Sequence, residues 1–214
     1  MCMRFLVPAA SHLTYTVRRD IFHPMKHIAQ PYSFWDIVCK DAVAVGGVVN
    51  PNASFISRIW QVRRLMRMRP SFACVFWLRI NQLFVRRSWR GCFRIRIWRQ
   101  YRFANSISEY ADIGPGLFLP HPTDVTIGST VKIGKNVTIY NGVTLGSKHF
   151  GGDEGMPQLG DNVIIYTGAK VIGAVQIGDG VEIGALSLCN KNVPSQNVMY
   201  GIPPNVTIRP KKLS

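Results

Sequence analysis

Val125-Thr-Ile-Gly-Ser-Thr-Val131-Lys-Ile-Gly-Lys-Asn-Val137-Thr-Ile-Tyr-Asn-Gly-Val143-Thr-Leu-Gly146 repeats itself every six residues. Aliphatic residues stand at Ile127, Ile133, Ile139 and Leu145, and the phase resumes at Leu159, Ile165, Val171, Ile177 and Ile183. Glycine follows at Gly128, Gly134, Gly146, Gly160, Gly178 and Gly184. Four residues after the aliphatic comes a small or β-branched residue: Val131, Val137, Val143, Val163, Ala169, Val175 and Val181. A helix would space its apolar residues by three and four, and a flat strand would alternate. A period of six does neither. It predicts short strands bent at regular corners, with the aliphatics turned into a narrow interior and glycine giving the corners their backbone freedom. Three hexads close one triangular coil of about 18 residues, the pattern of a hexapeptide parallel β-helix. Each coil buries its aliphatics only by stacking on the next, so both ends need covers.

Two departures from the period are as informative as the period. Ile113 and Leu119 begin the series six apart, but two extra residues precede Ile127. Leu145 and Leu159 are 14 apart, which leaves eight extra residues within Ser147 to Pro157. The glycines and proline there predict a loop thrown out from the solenoid, a place where rigid scaffolds often carry function. The stretch from Val198 to Arg209 leaves the register and is expected to cap the last coil.

The 214 residues carry 26 Lys+Arg against 11 Asp+Glu, a formal net charge of +15. That charge is not spread evenly. Ala42 to Ser108 contains 13 arginines and no Asp, Glu or Lys, whereas Glu109 to Ser214 holds eight acids and eight bases. Spacings of three and four over Ser33 to Val45 and Phe55 to Arg102 predict helices with a basic face, divided at Pro70. The expected organisation is an N-terminal extension over 1–32, an Arg-rich helical region over 33–104, the repeat over 105–198, and a cap and tail over 199–214. Five scattered cysteines form no close pair and no CxxC, which points to a reducing compartment and to no metal site. The longest apolar run, Phe72 to Val85, includes Arg79 and falls short of the roughly 20 residues of a membrane span. The first residues lack the apolar core of a secretory signal. A cytoplasmic protein is therefore expected.

Several stretches together carry a resemblance. Asp112-Ile-Gly-Pro-Gly-Leu-Phe-Leu-Pro-His-Pro-Thr123 leads into the hexads. Val137-Thr-Ile-Tyr-Asn-Gly-Val-Thr-Leu-Gly146, the loop and Gly168-Ala-Lys-Val-Ile-Gly173 follow, and Gly201-Ile-Pro-Pro204 closes the domain. Over residues 105–209 the chain resembles the serine acetyltransferase branch of the hexapeptide acyltransferases, especially members found in polysaccharide biosynthesis. The Phe76-Trp-Leu-Arg-Ile-Asn-Gln-Leu-Phe84 segment more loosely resembles their helical lead-in. The resemblance implies a left-handed parallel β-helix, against the usual hand of strand crossovers. It also implies a homotrimer with acetyl-CoA lying in clefts between neighbouring subunits.

Acetyl transfer from a thioester to a hydroxyl needs a base, donors for the developing oxyanion and a groove for the thioester. On the resemblance, His121 takes the position of the family's catalytic histidine. His149, in the loop, is a second candidate, as base or as acceptor contact. Gly146, Ala169 and Ala185 lie where the family's pantetheine arm passes, although repeat grammar alone would also put small residues there. Lys170, with Lys191 and Arg209, is a candidate for the CoA phosphates. The two histidines of the repeat half fall short of the three needed by zinc β-helix carbonic anhydrases, so no metal is expected.

Three positions depart from the serine-specific pattern. The family's aspartate fifteen residues before the histidine is Ser106 here, and the aspartate immediately before it is Pro120. The Arg-His pair before the loop proline is Gly155-Met156. Glu109, Asp112 and Asp124 are the alternatives for orienting His121, each otherwise readable as a solvated corner residue. Without the loop pair, the best donors for an amino-acid carboxylate are gone. The expected acceptor is thus a sugar hydroxyl in surface or exopolysaccharide biosynthesis, with serine as the alternative and a non-catalytic solenoid interaction protein as a further one.

The arginine segment leaves three readings open. Trp60, Phe76, Trp77, Trp89 and Trp98 among arginines suit an interfacial helix at the inner face of a membrane, through residues 58–102. The same mixture suits a nucleic-acid surface, but no nucleic-acid fold motif accompanies it. The third reading is a helical domain that simply packs on the solenoid.

Overall fold

The computed structural model describes residues 32–87, 92–148 and 155–211. The extension expected before residue 32 and the interfacial candidate Trp89 lie outside the described residues. The repeat folds as a left-handed parallel β-helix. Its first face stacks the strands Ser106–Ile107, Thr126–Ile127, Thr144–Gly146, Lys170–Ile172 and Leu188–Cys189. The second stacks Asp112–Ile113, Lys132–Ile133, Gln158–Leu159 and Gln176–Ile177. The third carries Thr138–Ile139, Ile164–Ile165 and Glu182–Ile183, then an antiparallel hairpin of Asn197–Ile202 and Asn205–Pro210.

The register reproduces both departures from the period. On the first face Ser106 opposes Thr126, Thr126 opposes Thr144, Thr144 opposes Lys170, and Lys170 opposes Leu188. The steps from Thr126 to Thr144 and from Lys170 to Leu188 are each three hexads, the ordinary coil. The step from Ser106 to Thr126 is longer by two, and the step from Thr144 to Lys170 is longer by eight. The two-residue insertion therefore falls in the first coil and the eight-residue insertion in the third.

Both apolar series of the hexad are interior. Ile127, Ile139, Leu145, Ile165, Val171 and Ile183 are buried, as are Val131, Val137, Val143, Val163, Ala169 and Val181. Fully burying such a side chain is worth about 1.5–3 kcal/mol, so stacking adds a large apolar term to the hydrogen bonds between coils. The glycines after the aliphatics have a different role from the one expected. Gly134 has an ordinary φ, and a Cβ there would collide with the Gly160 carbonyl of the next coil. Close approach between coils is what excludes a side chain. The left-handed backbone falls at another point of the hexad, at Gly168 (φ +73°) and equally at Asn136 (φ +54°). Asparagine tolerates that conformation because its short amide can bond locally.

Four helices precede the solenoid. Helix α1 (Phe34–Ala44) opens on a reciprocal cap between Ser33 and Asp36. Helix α2 (Phe55–Met68) is capped by Ser54. Pro70 is the first residue of α3 (Pro70–Arg86), where its missing N–H costs nothing. Helix α4 (Cys92–Phe103) runs into the first coil. Cys74, Val75 and Leu78 of α3 join the solenoid core and cover its N-terminal end, while Val206 and Ile208 of the hairpin pack against the core at the other. A second apolar cluster joins Val38 and Ala42 of α1, Val62 of α2 and Phe72 of α3. No helix among the described residues is long and apolar enough to cross a membrane.

Candidate active site

The two-residue insertion of the first coil carries His121. It lies where the chain turns from the third face to the first, and its side chain is exposed. Below it the same corner recurs once per coil. Tyr140 follows Thr138–Ile139 and Tyr166 follows Ile164–Ile165, so register alone places both tyrosines on the edge that His121 begins. The His121 ring centroid is 6.5 Å from Tyr140. Tyr140 and Tyr166 stack at 5.5 Å with 22° between their planes. Tyr166 donates to Glu182 Oε2 at 3.4 Å, and Glu182 pairs with Lys211. Burial raises the Tyr166 pKa, and the Glu182 charge adds to that shift.

The turn bearing His121 is tied down from beneath. Asn105 Nδ2 donates to the Pro122 carbonyl at 2.9 Å and to Cys74 Sγ at 3.2 Å. Asn105 Oδ1 accepts from Arg99 Nη1 at 3.0 Å, and Arg99 Nη2 donates to the Ile107 carbonyl. Arg99 is fully buried, and desolvation lowers its pKa. One arginine of the basic segment thus reaches through a single amide to the residue after His121.

The carboxylates considered for orienting His121 lie in other settings. Glu109 is buried rather than solvated, 3.5 Å from Arg96, with its Oε2 unpartnered among the described residues. Asp124 sits at a left-handed corner (φ 55°), its backbone N–H donating to the Ala104 carbonyl at 2.7 Å. Asp112 lies on a strand of the second face, and Ser106 is exposed on the first.

The acyl-donor candidates divide between two edges of the solenoid. Ala169 and Ala185 fall on the His121 edge, one coil apart; Ala169 points into the core and offers only backbone, while Ala185 is exposed. Gly146 ends its strand at the opposite edge of the first face, where the eight-residue insertion leaves the coil. A Cβ built on Gly146 would meet nothing nearer than Thr144 Cγ2 at 3.8 Å, so the space beside it is open. The Lys170 ammonium is engaged by the preceding coil, donating to the Gly142 carbonyl at 2.6 Å and to Thr144 Oγ1 at 2.9 Å. Arg209 lies over the Tyr200 ring at 5.4 Å. His149 lies outside the described residues.

Comparison with known proteins names this architecture. The family described as bacterial transferase hexapeptide (six repeats) matches residues 156–191. The chain is 47% identical over 96 residues to the serine acetyltransferase of Staphylococcus aureus, which is 45% of each chain. The crystal structure of the Neisseria gonorrhoeae serine acetyltransferase superposes with a TM-score of 0.69 at 25% identity, over 85% of this chain and 68% of that one. The repeat domain is similar in sequence and in fold to serine acetyltransferases of the hexapeptide type. Serine acetyltransferase 1 of Entamoeba histolytica, solved in complex with L-cysteine, is 30% identical with a TM-score of 0.64, over 78% of this chain and 63% of that one. The chain spans about 45% of the length of its curated S. aureus relative. These relatives are named for serine, not for the saccharide expected from the sequence.

The serine acetyltransferase-like domain holds contacts that the repeat pattern does not announce. Arg79 gave a signal, because with Asn81 and Gln82 it interrupts an apolar run. Arg99 and Asn105 gave none, since nothing local distinguishes a buried arginine from its neighbours in an Arg-rich helix. The Tyr140–Tyr166 column was readable in principle, because each tyrosine directly follows an interior aliphatic and the two stand one enlarged coil apart.

Proposed function

We propose that the protein is an acetyl-CoA-dependent O-acetyltransferase acting on the hydroxyl of serine or of a serine-like acceptor. The observation that carries this reading is the insertion that lifts His121 out of the coil at an exposed corner, within a domain of serine acetyltransferase-like sequence and fold. An imidazole there takes the acceptor proton as the hydroxyl attacks the thioester carbonyl. The new C–O bond gives a tetrahedral oxyanion; its collapse breaks the C–S bond, and the imidazolium passes its proton to the departing CoA thiolate. The division of candidates between two edges supports a homotrimer, in which the Gly146 edge of one copy faces the His121 edge of its neighbour. Purified protein with acetyl-CoA and L-serine should release thiol, and His121→Ala should abolish it. Unchanged turnover in that variant overturns the reading. Failure to bind acetyl-CoA by calorimetry leaves only a structural solenoid.

A sugar hydroxyl is the second reading, and the stacked Tyr140 and Tyr166 beside His121 favour it. Aromatic faces suit the apolar side of a pyranose ring, whereas a free amino acid calls for charged donors at its carboxylate. Comparing thiol release with serine and with saccharide acceptors separates the two readings.

A further inference from the structure

The helical region presents a surface that neither the solenoid nor acetyl transfer uses. A groove of about 510 Å³ runs between α2 and α4, with α3 as its floor. Phe76, Trp77 and Trp98 line it, and Arg63, Arg67 and Arg102 stand among them. Trp77 and Trp98 meet edge to face at 5.1 Å. Around the groove α2 and α4 expose large apolar side chains: Ile56 (69%), Trp60 (65%) and Met68 (63%) on one, Phe93 and Tyr101 (87%) on the other. Side chains four apart share one helix face, so Ile56, Trp60, Arg64 and Met68 form a single outward stripe. Among the described residues, Arg63, Arg64 and Arg67 have no carboxylate within ion-pair reach, while Arg79 and Arg96 are taken by Asp41 and Glu109. Ala42 to Ser108 supplies no acid at all.

An exposed face that is at once aromatic, aliphatic and purely cationic matches an anionic bilayer. Its apolar side chains enter the headgroup boundary, and its guanidinium groups meet phosphates. A protein partner would need a dense acidic surface with apolar pockets. A nucleic acid would leave the aliphatic side chains of Ile56 and Met68 in water. We propose that the α2–α4 face docks the protein on an anionic lipid surface, with an acyl chain entering the aromatic groove and a headgroup phosphate between Arg63, Arg67 and Arg102. The helices lie on the bilayer and do not span it. This inference is independent of the acceptor and of acetyl transfer.

Flotation of the full chain with phosphatidylcholine vesicles, with and without phosphatidylglycerol, tests it. Binding should require the anionic lipid and should fall steeply as salt is raised. Replacing Arg63 and Arg67 with Gln should weaken binding roughly thirtyfold, at about fivefold per charge. Trp60→Ser should weaken it without changing the salt dependence. Circular dichroism melting of each variant verifies folding, because these side chains lie outside both cores. Equal binding to neutral vesicles, or none to either, overturns the proposal. So does preferential binding to duplex DNA or RNA over anionic vesicles. A change in oligomeric mass in the Arg63 and Arg67 variant would make a second copy of the chain the occupant and would equally overturn it.

Discussion

Asp41 and Arg79 form a two-pronged ion pair across 38 residues of chain, with Nε to Oδ2 at 2.9 Å and Nη2 to Oδ1 at 3.3 Å. Both side chains are almost wholly buried. Arg79 also donates to the carbonyls of Ile113 and Gly114, each at 2.7 Å. Asp41 accepts from the backbone N–H groups of Gly116 and Leu117 at 2.8 and 3.1 Å. The pair rivets α1 and α3 to the strand that leads toward His121. Removing one partner leaves the other charge buried and unpaired, at a cost of about 3–5 kcal/mol. Asp41→Asn and Arg79→Met should each lower the free energy of urea unfolding by that amount, and the double variant should lose less than the sum.

Asn105 offers a separation of stability from positioning. Asn105→Asp keeps an acceptor for Arg99 but loses the N–H that holds the Pro122 carbonyl. This variant should melt near the wild type, yet turnover should fall, by up to about a hundredfold if His121 shifts by an ångström. The KM for acetyl-CoA should stay near the wild-type value. Asn105→Ala should lose both turnover and stability. Equal losses of stability in the two variants would show that Asn105 only supports the fold.

Burial pushes the Cys74 thiol from its usual value near 9 up to about 11. The folded state therefore holds this proton while the unfolded chain releases it. That contribution to stability is fully present below pH 9 and is lost as pH rises to about 11, roughly 3 kcal/mol in all. Urea midpoints should decline through this window, and the decline should flatten in Cys74→Ala. At neutral pH, thiol reagents should modify Cys74 only on unfolding.

Lys170 bridges two coils through Gly142 and Thr144. Lys170→Met should lower stability by about 1 kcal/mol, the worth of a half-exposed charged hydrogen bond, with little change in the KM for acetyl-CoA. A rise in KM of about tenfold would instead put the ammonium on the acyl donor.

The solenoid was legible because its grammar is local. Every sixth residue must enter a narrow interior, so Ile127 and Ile183 announce their places without knowledge of the rest. The insertions at His121 and after Gly146 were legible for the same reason, as breaks in phase. The glycine rule was half legible. Composition shows where Gly134 and Gly168 stand, but only the coil above shows that one avoids a collision and the other supplies a left-handed turn. The helical contacts were hidden because they join distant partners. Nothing near Arg79 points to Asp41, and nothing near Arg99 points to Asn105. The arginine segment suggested helices with a basic face, yet Arg79 and Arg99 are interior struts.

The unequal coils along the first face have an evolutionary reading. Each insertion falls at one corner, and the strands on either side of it keep the same stacking. A solenoid of this kind tolerates grafts: a corner can gain or lose residues without forcing its neighbours to repack. The segment after Gly146 can therefore be exchanged while the stacked interior on either side is inherited intact.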